Sequence, residues 1–445
     1  MLSARYDAVV VGAGPGGSTA ALVLAREGAR VALVDKATFA RDKACGDLIG
    51  PRGIALLTEL GLDPGPGRRV GEMVVVGPTG RRVVLPARAG RTYPGYGIAV
   101  PRLRFDSWLR DTAISAGADA ITGRVRTIAD AQGGRSEIVL ADGRRVETDV
   151  VVGADGATSA VADAAGLVNH GSVLWGFAQR AYVEQTVERP IIVLWDDPLW
   201  HGFPGYGWLF PGVDGRANVG LGLGLGPMRT GASRAVVRLD AFLQHLRTLG
   251  LLTATVEGRR LGGWLKMGMV GTIPAGGRTL LVGDAAGLVN PLQGEGIAPA
   301  IISGHAAARA VVAGPGDAAE RYLRILAAGP ARYASVAAAV HAASISGSPR
   351  RVAALGRALT LPGVGRSIAA PWALYWNDLL DGAPPGPATL AAAVAHRAGR
   401  LATWRSRTRR HLEQSLIGGQ NARAAESSWR RGRHENQAPQ PPAAR

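Results

Sequence analysis

Cysteine is nearly absent from this chain: Cys45 is the only one in 445 residues. A single thiol excludes an internal disulfide and a structural zinc site built from cysteines, and it suits a reducing compartment. Lysine is almost as scarce. Lys36, Lys43 and Lys266 are the only ones, so nearly all of the 51 basic residues are arginine. No apolar run reaches the roughly 18 residues that a spanning helix needs. No internal repeat is visible. Residues 1–5 lead straight into an apolar strand, so no secretory leader is expected and a cytoplasmic location is. Acids are outnumbered, giving a net charge of +17. Part of the excess is terminal, since residues 396–445 carry 11 Arg against three Glu. A basic, Gln-, Pro- and Ala-rich end reads as a flexible tail over residues 413–445, with peripheral attachment to an anionic membrane surface as the contact it favours. The other arginines are spread along the chain and form no basic, aromatic module, so no nucleic-acid partner is expected.

What is present is most informative at residues 6–35. An apolar strand, Tyr6 to Val11, runs into Gly12, Gly14 and Gly17 in the GxGxxG spacing, with Gly16 between them, and a second strand, Val31 to Val34, delivers Asp35. Gly12 permits the tight turn, Gly14 lets a pyrophosphate approach the backbone, and Gly17 lets the helix pack on the sheet. The helix N-terminus offers free N–H groups to phosphates. Asp35 stands where a carboxylate meets ribose hydroxyls. The unit predicts dinucleotide binding.

Two further strands end in an acid. Val151, Val152, Gly153, Ala154, Asp155 and Gly156 form one, with Ser159 beyond. Leu281, Val282, Gly283 and Asp284 form the other, followed by Pro291, Gly294, Glu295, Gly296 and Ile297. Ligands of open α/β sheets bind outside the carboxyl ends of the strands. Between these segments the pattern predicts a helix near Pro51–Leu60, short strands at Met73–Val76 and Arg82–Leu85, a helix over 103–116, and a meander of Ile121–Ile128, Ser136–Leu140 and Arg145–Val152. Residues 172–225 are rich in strands and tryptophan, 236–250 are helical, and 317–412 are mostly helical. The repeat Gly220, Gly222, Gly224 and Gly226 lacks a following helix and acid, so it reads as a strand packed closely on a ligand or on backbone. No second dinucleotide unit exists for a stably bound nicotinamide.

The set GAGPGG, GADG and GDAAGLVNPLQGEG resembles the FAD-dependent oxidoreductases of the p-hydroxybenzoate-hydroxylase fold, over about residues 5–340. Within that fold, Arg41, Lys43, Ala44, Cys45, Gly46 and Asp47 resemble the K-x-C-G loop of the geranylgeranyl reductase-like flavoproteins, and Tyr206 to Pro211 resemble their Y-x-W-x-F-P motif. The resemblance implies an α/β protein: a discontinuous Rossmann-like FAD-binding domain (1–170 and 260–330), an inserted β-sheet substrate domain (171–259, with 72–100 partly in it), and a helical C-terminal region (331–412).

It also implies an FAD site. Gly12, Gly14, Gly16, Gly17, Asp35 and Lys36 would hold the ADP half, with Arg104 at the phosphates and Val125 and Asp155 nearby. Asp284 would meet the ribityl chain, and Cys45, Gly46, Gly294, Gly296 and Ile297 the flavin ring. Cys45, Tyr206 and Trp208 are the candidate catalytic or substrate contacts, and the aromatic set that also includes Trp195, Trp200 and Phe210 would wall an apolar pocket. The GADG segment usually continues to an arginine; Val161 and Ala162 stand there instead. No metal is expected. The implied reaction is reduction of carbon–carbon double bonds in a prenyl chain, a hydrophobic substrate, with NAD(P)H or a reduced electron carrier as transient donor. An FAD-dependent monooxygenase, hydroxylase or epoxidase, is the alternative. The lysine and W-x-W-x-I-P arrangement of flavin halogenases is missing.

Overall fold

A computed structural model describes residues 4–63, 67–195, 205–230, 232–329, 331–345, 349–403 and 405. Trp200 and the basic tail 413–445, with the membrane contact expected of it, lie outside the described residues.

The first sheet is built on the parallel strands Ala4–Val11, Val31–Asp35, Asp119–Thr122, Arg145–Gly153 and Thr279–Leu281. Ala4–Val11 lies in the middle, with Val31–Asp35 on one side and Arg145–Gly153 on the other; Thr279–Leu281 follows Arg145–Gly153. The central strands end in continuous apolar runs, as expected of a parallel sheet covered on both faces. Val9, Val10, Leu33, Val151, Val152 and Leu281 are all buried. The helices Pro15–Arg26 and Ile297–Val312 pack on each other through small residues. A Cβ on Gly304 would stand 2.1 Å from the Gly16 carbonyl oxygen, so glycine sets how closely the two helices meet.

The expected strand over Ile121–Ile128 is two strands, Asp119–Thr122 and Val125–Ala131. The parallel pairing ends at Gly123, whose N–H still donates to the Asp35 carbonyl at 2.8 Å. From there Val125–Ala131 turns away to pair with Arg135–Leu140.

The second sheet has seven strands: Val256–Met267, Leu174–Val183, Ala217–Leu225, Gly205–Pro211, Ile191–Val193, Met73–Val76 and Arg82–Leu85, in that spatial order. Its far face is filled by the amphipathic helix Ala232–Thr248, through Leu239, Phe242, Leu243 and Leu246. The division expected at residue 259/260 falls inside the strand Val256–Met267, which pairs with Leu174–Val183 up to the Leu174–Met267 pair. The inserted sheet therefore extends to Met267. A small sheet of Leu48–Ile49, Gly97–Ala99 and Arg68–Val70 joins the layers.

The C-terminal region forms the helices Ala318–Ala328, Ala334–Ile345, Pro349–Leu359, Gly365–Trp376 and Pro387–Ala402. Gly365–Trp376 packs on the edge strand Arg82–Leu85 of the seven-stranded sheet. No helix among the described residues is long and apolar enough to cross a membrane.

Candidate active site and dinucleotide cleft

Register brings the three glycine-rich turns together. Val11 lies beside Gly153, and Gly153 beside Leu281. Ala154 N–H donates to the Val11 carbonyl at 2.7 Å, and Val282 N–H to the Gly153 carbonyl at 2.9 Å. The turns starting at Gly12, Ala154 and Val282 thus sit in a row at one end of the sheet. A Cβ on Gly12, where φ is +104°, would stand 2.3 Å from the Ala154 carbonyl oxygen; one on Gly17 would stand 1.8 Å from the Gly12 oxygen. These two glycines are demanded by packing. Gly14 differs: its nearest neighbour would be the Arg41 guanidinium at 3.6 Å, so its surface is open. Gly16 backs onto the Ala300 carbonyl.

The Asp35 carboxylate accepts from Ala13 N–H at 2.7 Å and Ala37 N–H at 2.8 Å. Lys36 beside it is exposed, and Val125 begins the diverging hairpin two residues past Gly123. Arg41 reaches across the mouth of the glycine loop, 3.2 Å from Asp106 and 4.0 Å from Asp35. Arg104 is placed differently from expectation. It is exposed and pairs with Asp214 on the inserted domain. The residue of that helix facing inward is Arg102, held by Asp106 through two contacts of 2.7 Å. Two residues along a helix turn the side chain by about 200°, so Arg102 and Arg104 point to opposite sides.

Asp155 serves a local structure. It accepts from the Ser159 hydroxyl at 2.5 Å and from Val161 N–H at 3.2 Å, while the Ser159 oxygen accepts from Ala162 N–H at 2.9 Å. The pair caps the short helix Ala160–Ala164. Burial raises the Asp155 carboxyl above its ordinary range. Val161 and Ala162, where an arginine is usual, are buried.

At the other end, Asn290 builds the loop before Ile297. Its side-chain oxygen accepts from Leu292 N–H at 2.8 Å and Gln293 N–H at 3.3 Å. The loop closes with Asn290 N–H donating to the Glu295 carbonyl and Gly294 N–H to the Asn290 carbonyl, both at 2.9 Å. Gly294 has φ +75°, and a Cβ on Gly296 would stand 3.2 Å from Asp284. Ile297 is the buried first residue of the next helix. Glu295 accepts from Gly50 N–H at 3.1 Å and from the Gln293 amide at 3.2 Å. Burial pushes its carboxyl up to about 7.

The loop carrying Cys45 closes one side. Lys43 Nζ stands 3.2 Å from Asp284. Asp47 N–H donates to Cys45 Sγ at 3.4 Å, and burial raises the thiol. A Cβ on Gly46 would stand 3.0 Å from the Phe210 ring. Asp47 is buried with φ +61° and accepts from the Tyr182 hydroxyl at 2.6 Å and the Asn218 amide at 2.8 Å. Asn218 also accepts from the Trp208 indole N–H at 2.9 Å and donates to the Cys45 carbonyl at 2.8 Å. Sequence reasoning missed Asp47, Asn218, Gln293 and Glu295 as linked partners. No local spacing announces them, because each pair comes from different elements.

Between these loops and the inserted sheet lies a cavity of about 850 Å³. Tyr206, Trp208 and Phe210 alternate on Gly205–Pro211 and all face it, as do Cys45, Gly222 and Leu265. The Tyr206 hydroxyl donates to the Gln293 carbonyl, tying this wall to the loop of Gly294. Trp195 does not join the wall. It packs on Phe242 and His245 on the sheet's other face, with ring centroids 5.5 and 5.8 Å away. Gly220 supports the wall from below: a Cβ there would stand 2.3 Å from the Trp208 ring.

The residues present fit FAD. An open glycine turn with a ribose-type acid stands at one end, and a glycine cradle beside an apolar cavity at the other. Among the described residues no cluster of His, Cys, Asp and Glu could hold a metal ion.

Residues 5–340 match the family model described as FAD binding domain. The chain is 36% identical over 322 residues to the menaquinone reductase of Mycolicibacterium smegmatis, covering 70% of this chain and 78% of that protein. It is 33% identical over 320 residues to the geranylgeranyl diphosphate reductase of Rhodobacter capsulatus, covering 69% and 75%. Among solved structures, a geranylgeranyl bacteriochlorophyll reductase-like protein from Thermoplasma acidophilum superposes with a TM-score of 0.66 at 23% identity, over 83% of this chain and 99% of that one. A flavin-dependent brominase shares the fold at 17% identity, with a TM-score of 0.63 over 88% of this chain and 99% of its own. Converging turns, cradle and relatives agree: this chain belongs to the geranylgeranyl reductase-like family of FAD-dependent oxidoreductases and is a flavin-dependent enzyme.

Proposed function

We propose that this enzyme reduces carbon–carbon double bonds of a prenyl chain. The observation that carries the reading is the cavity itself. It begins at the Gly294–Gly296 cradle, runs under Tyr206, Trp208 and Phe210, and reaches the C-terminal helices through Ala370, Pro371 and Leu374. Such a channel suits a long hydrocarbon, and reductases named for prenylated substrates are among the relatives at 33–36% identity.

FAD, when bound, supplies the two-electron reducing chemistry. The protein supplies alignment and exclusion of water. An isolated alkene is a poor electrophile, so its position must contribute much of the barrier lowering. Trp208 is fixed by Asn218, and Tyr206 by the Gln293 carbonyl, so the aromatic wall is rigid where the alkene lies. A proton must reach the second carbon. Cys45 and Glu295 both line the cavity, and burial raises both groups, so the thiol is protonated at neutral pH and the carboxyl, at about 7, is partly so. We assign the proton to one of these two. The electron donor is a transient NAD(P)H or a small reduced carrier.

The test is incubation of purified holoenzyme with polyprenyl quinones, diphosphates and phospholipids under strictly anaerobic conditions with a reductant. The product gains one pair of hydrogens per bond reduced. Turnover that needs O₂ and yields an oxygenated product would establish the monooxygenase reading instead.

A further inference from the structure

We propose that the exposed face of the last three helices docks on an anionic bilayer and turns the mouth of the cavity towards the lipid. The proposal rests on the reading that the substrate is a prenyl lipid, but concerns a different part of the molecule.

The mouth is identified by those cavity-lining residues that are also exposed. They are Gly71, Ala87 and Arg88, Arg366 and Ser367, and Pro384 to Pro387 with Ala391. The opening therefore lies between the 86–88 loop, the start of the helix Gly365–Trp376 and the turn before Pro387–Ala402. Large apolar side chains stand in solvent on the same helices and the turn between them. Leu390 is 68% exposed, Val394 55%, Leu401 75% and Val364 53%; Ile368, Leu361 and Leu355 are exposed too. Half of the exposed large apolar side chains of the described residues lie between 349 and 403. On Pro387–Ala402 the positions 390, 394, 397 and 401 fall on one face at a period of 3.6, so Leu390, Val394 and Leu401 form a stripe interrupted only by Arg397. Gly365–Trp376 packs against both Pro349–Leu359 and Pro387–Ala402, making one surface of the three.

Charge on this surface has one sign. Residues 349–405 contain seven arginines and only two acids, Asp378 and Asp381. Both acids are engaged towards the protein body, Asp378 with Arg52 at 3.7 Å and Asp381 with Arg332 at 2.9 Å. Arg357, Arg366, Arg397 and Arg400 are exposed. Exposed aliphatic side chains among outward arginines, with no outward acid, suit the interface of an anionic membrane. The apolar stems enter the acyl boundary and the guanidinium groups stay with the phosphates. A second copy of this chain is a poorer partner, because its matching surface carries the same positive charge.

The experiment uses the full-length, FAD-loaded enzyme and vesicles of phosphatidylcholine alone or mixed with phosphatidylglycerol. We expect sedimentation with the mixed vesicles, little with phosphatidylcholine alone, and loss at high salt. The variant Leu390→Glu with Val394→Glu, neither of which lines the cavity, loses at least tenfold in partitioning while keeping its flavin spectrum and thermal midpoint. Unchanged partitioning of this variant would show that another segment carries attachment and would overturn the proposal, as would dimerisation in solution that the same substitutions abolish. Vesicle binding with no alkene reduction leaves the surface standing and removes the proposed function. Reduction in detergent with no vesicle binding does the reverse.

Discussion

Lys43 and Asp284 are 241 residues apart in sequence, and their side chains meet at 3.2 Å. The contact joins the Cys45 loop to the turn after the Thr279–Leu281 strand, across the cleft where the flavin belongs. A half-exposed pair of this kind contributes about 1 kcal/mol or less to folding. Lys43→Met therefore leaves the unfolding midpoint almost unchanged. It frees the loop from the turn, and FAD retention on dilution falls by about tenfold, a loss near 1.4 kcal/mol. Dialysis followed by the absorbance of bound flavin measures it.

Gly12 and Gly14 are two residues apart and respond differently. Gly14→Val adds bulk on the open side, so the protein folds but is purified colourless. Gly12→Ala meets the Ala154 carbonyl at 2.3 Å with a positive φ, so it costs about 3 kcal/mol or more of stability. Flavin absorbance together with urea unfolding separates the two. A yellow Gly14→Val protein with full occupancy would overturn the site.

Gly222 lines the cavity, and a Cβ there makes only ordinary contacts, 3.5 Å from Trp208 and 3.7 Å from Ala178. Gly222→Leu therefore folds and keeps FAD but fills the channel. Turnover of a long prenyl substrate drops by about a hundredfold, in line with the several kcal/mol that overpacking a site costs. Equal turnover in both proteins would mean that the substrate lies elsewhere.

Glu295 gives a pH signature. Its folded carboxyl sits at about 7, above the unfolded value, because of burial. The folded state holds the proton more tightly, so this group's contribution is fully present below about pH 4.5. It declines as pH rises and is lost above about 7. Each unit is about 1.4 kcal/mol, so the swing is roughly 3 kcal/mol. Glu295→Gln removes this dependence. The variant is more stable than the parent at pH 8, with little difference at pH 4.5, in flavin-free protein followed by chemical unfolding.

Asn218 is fully buried and links the Trp208 indole, the Asp47 carboxylate and the Cys45 carbonyl. Asn218→Leu leaves a buried carboxylate and an indole N–H without this partner, at a cost of about 3 kcal/mol. It also loosens Trp208, so turnover falls even where the protein stays folded. Stability and tryptophan fluorescence check the two parts.

The sequence by itself determined the dinucleotide unit, the parallel strands and the acids that follow them. Apolar runs, glycines and the period of helices are local signals that reflect the backbone geometry of the element carrying them. The wall of Tyr206, Trp208 and Phe210 was legible for the same reason, since alternate residues of a strand share a face. Only tertiary structure decided that Arg102 faces inward and Arg104 meets Asp214, that Trp195 belongs to the opposite face, and that the inserted sheet runs to Met267. It also decided that Lys43 meets Asp284 and that Asn218 meets Asp47. Those outcomes depend on which face of an element is covered and by what. That choice is made by long-range packing, between residues distant in the chain, and it leaves no mark in the spacing of neighbouring residues.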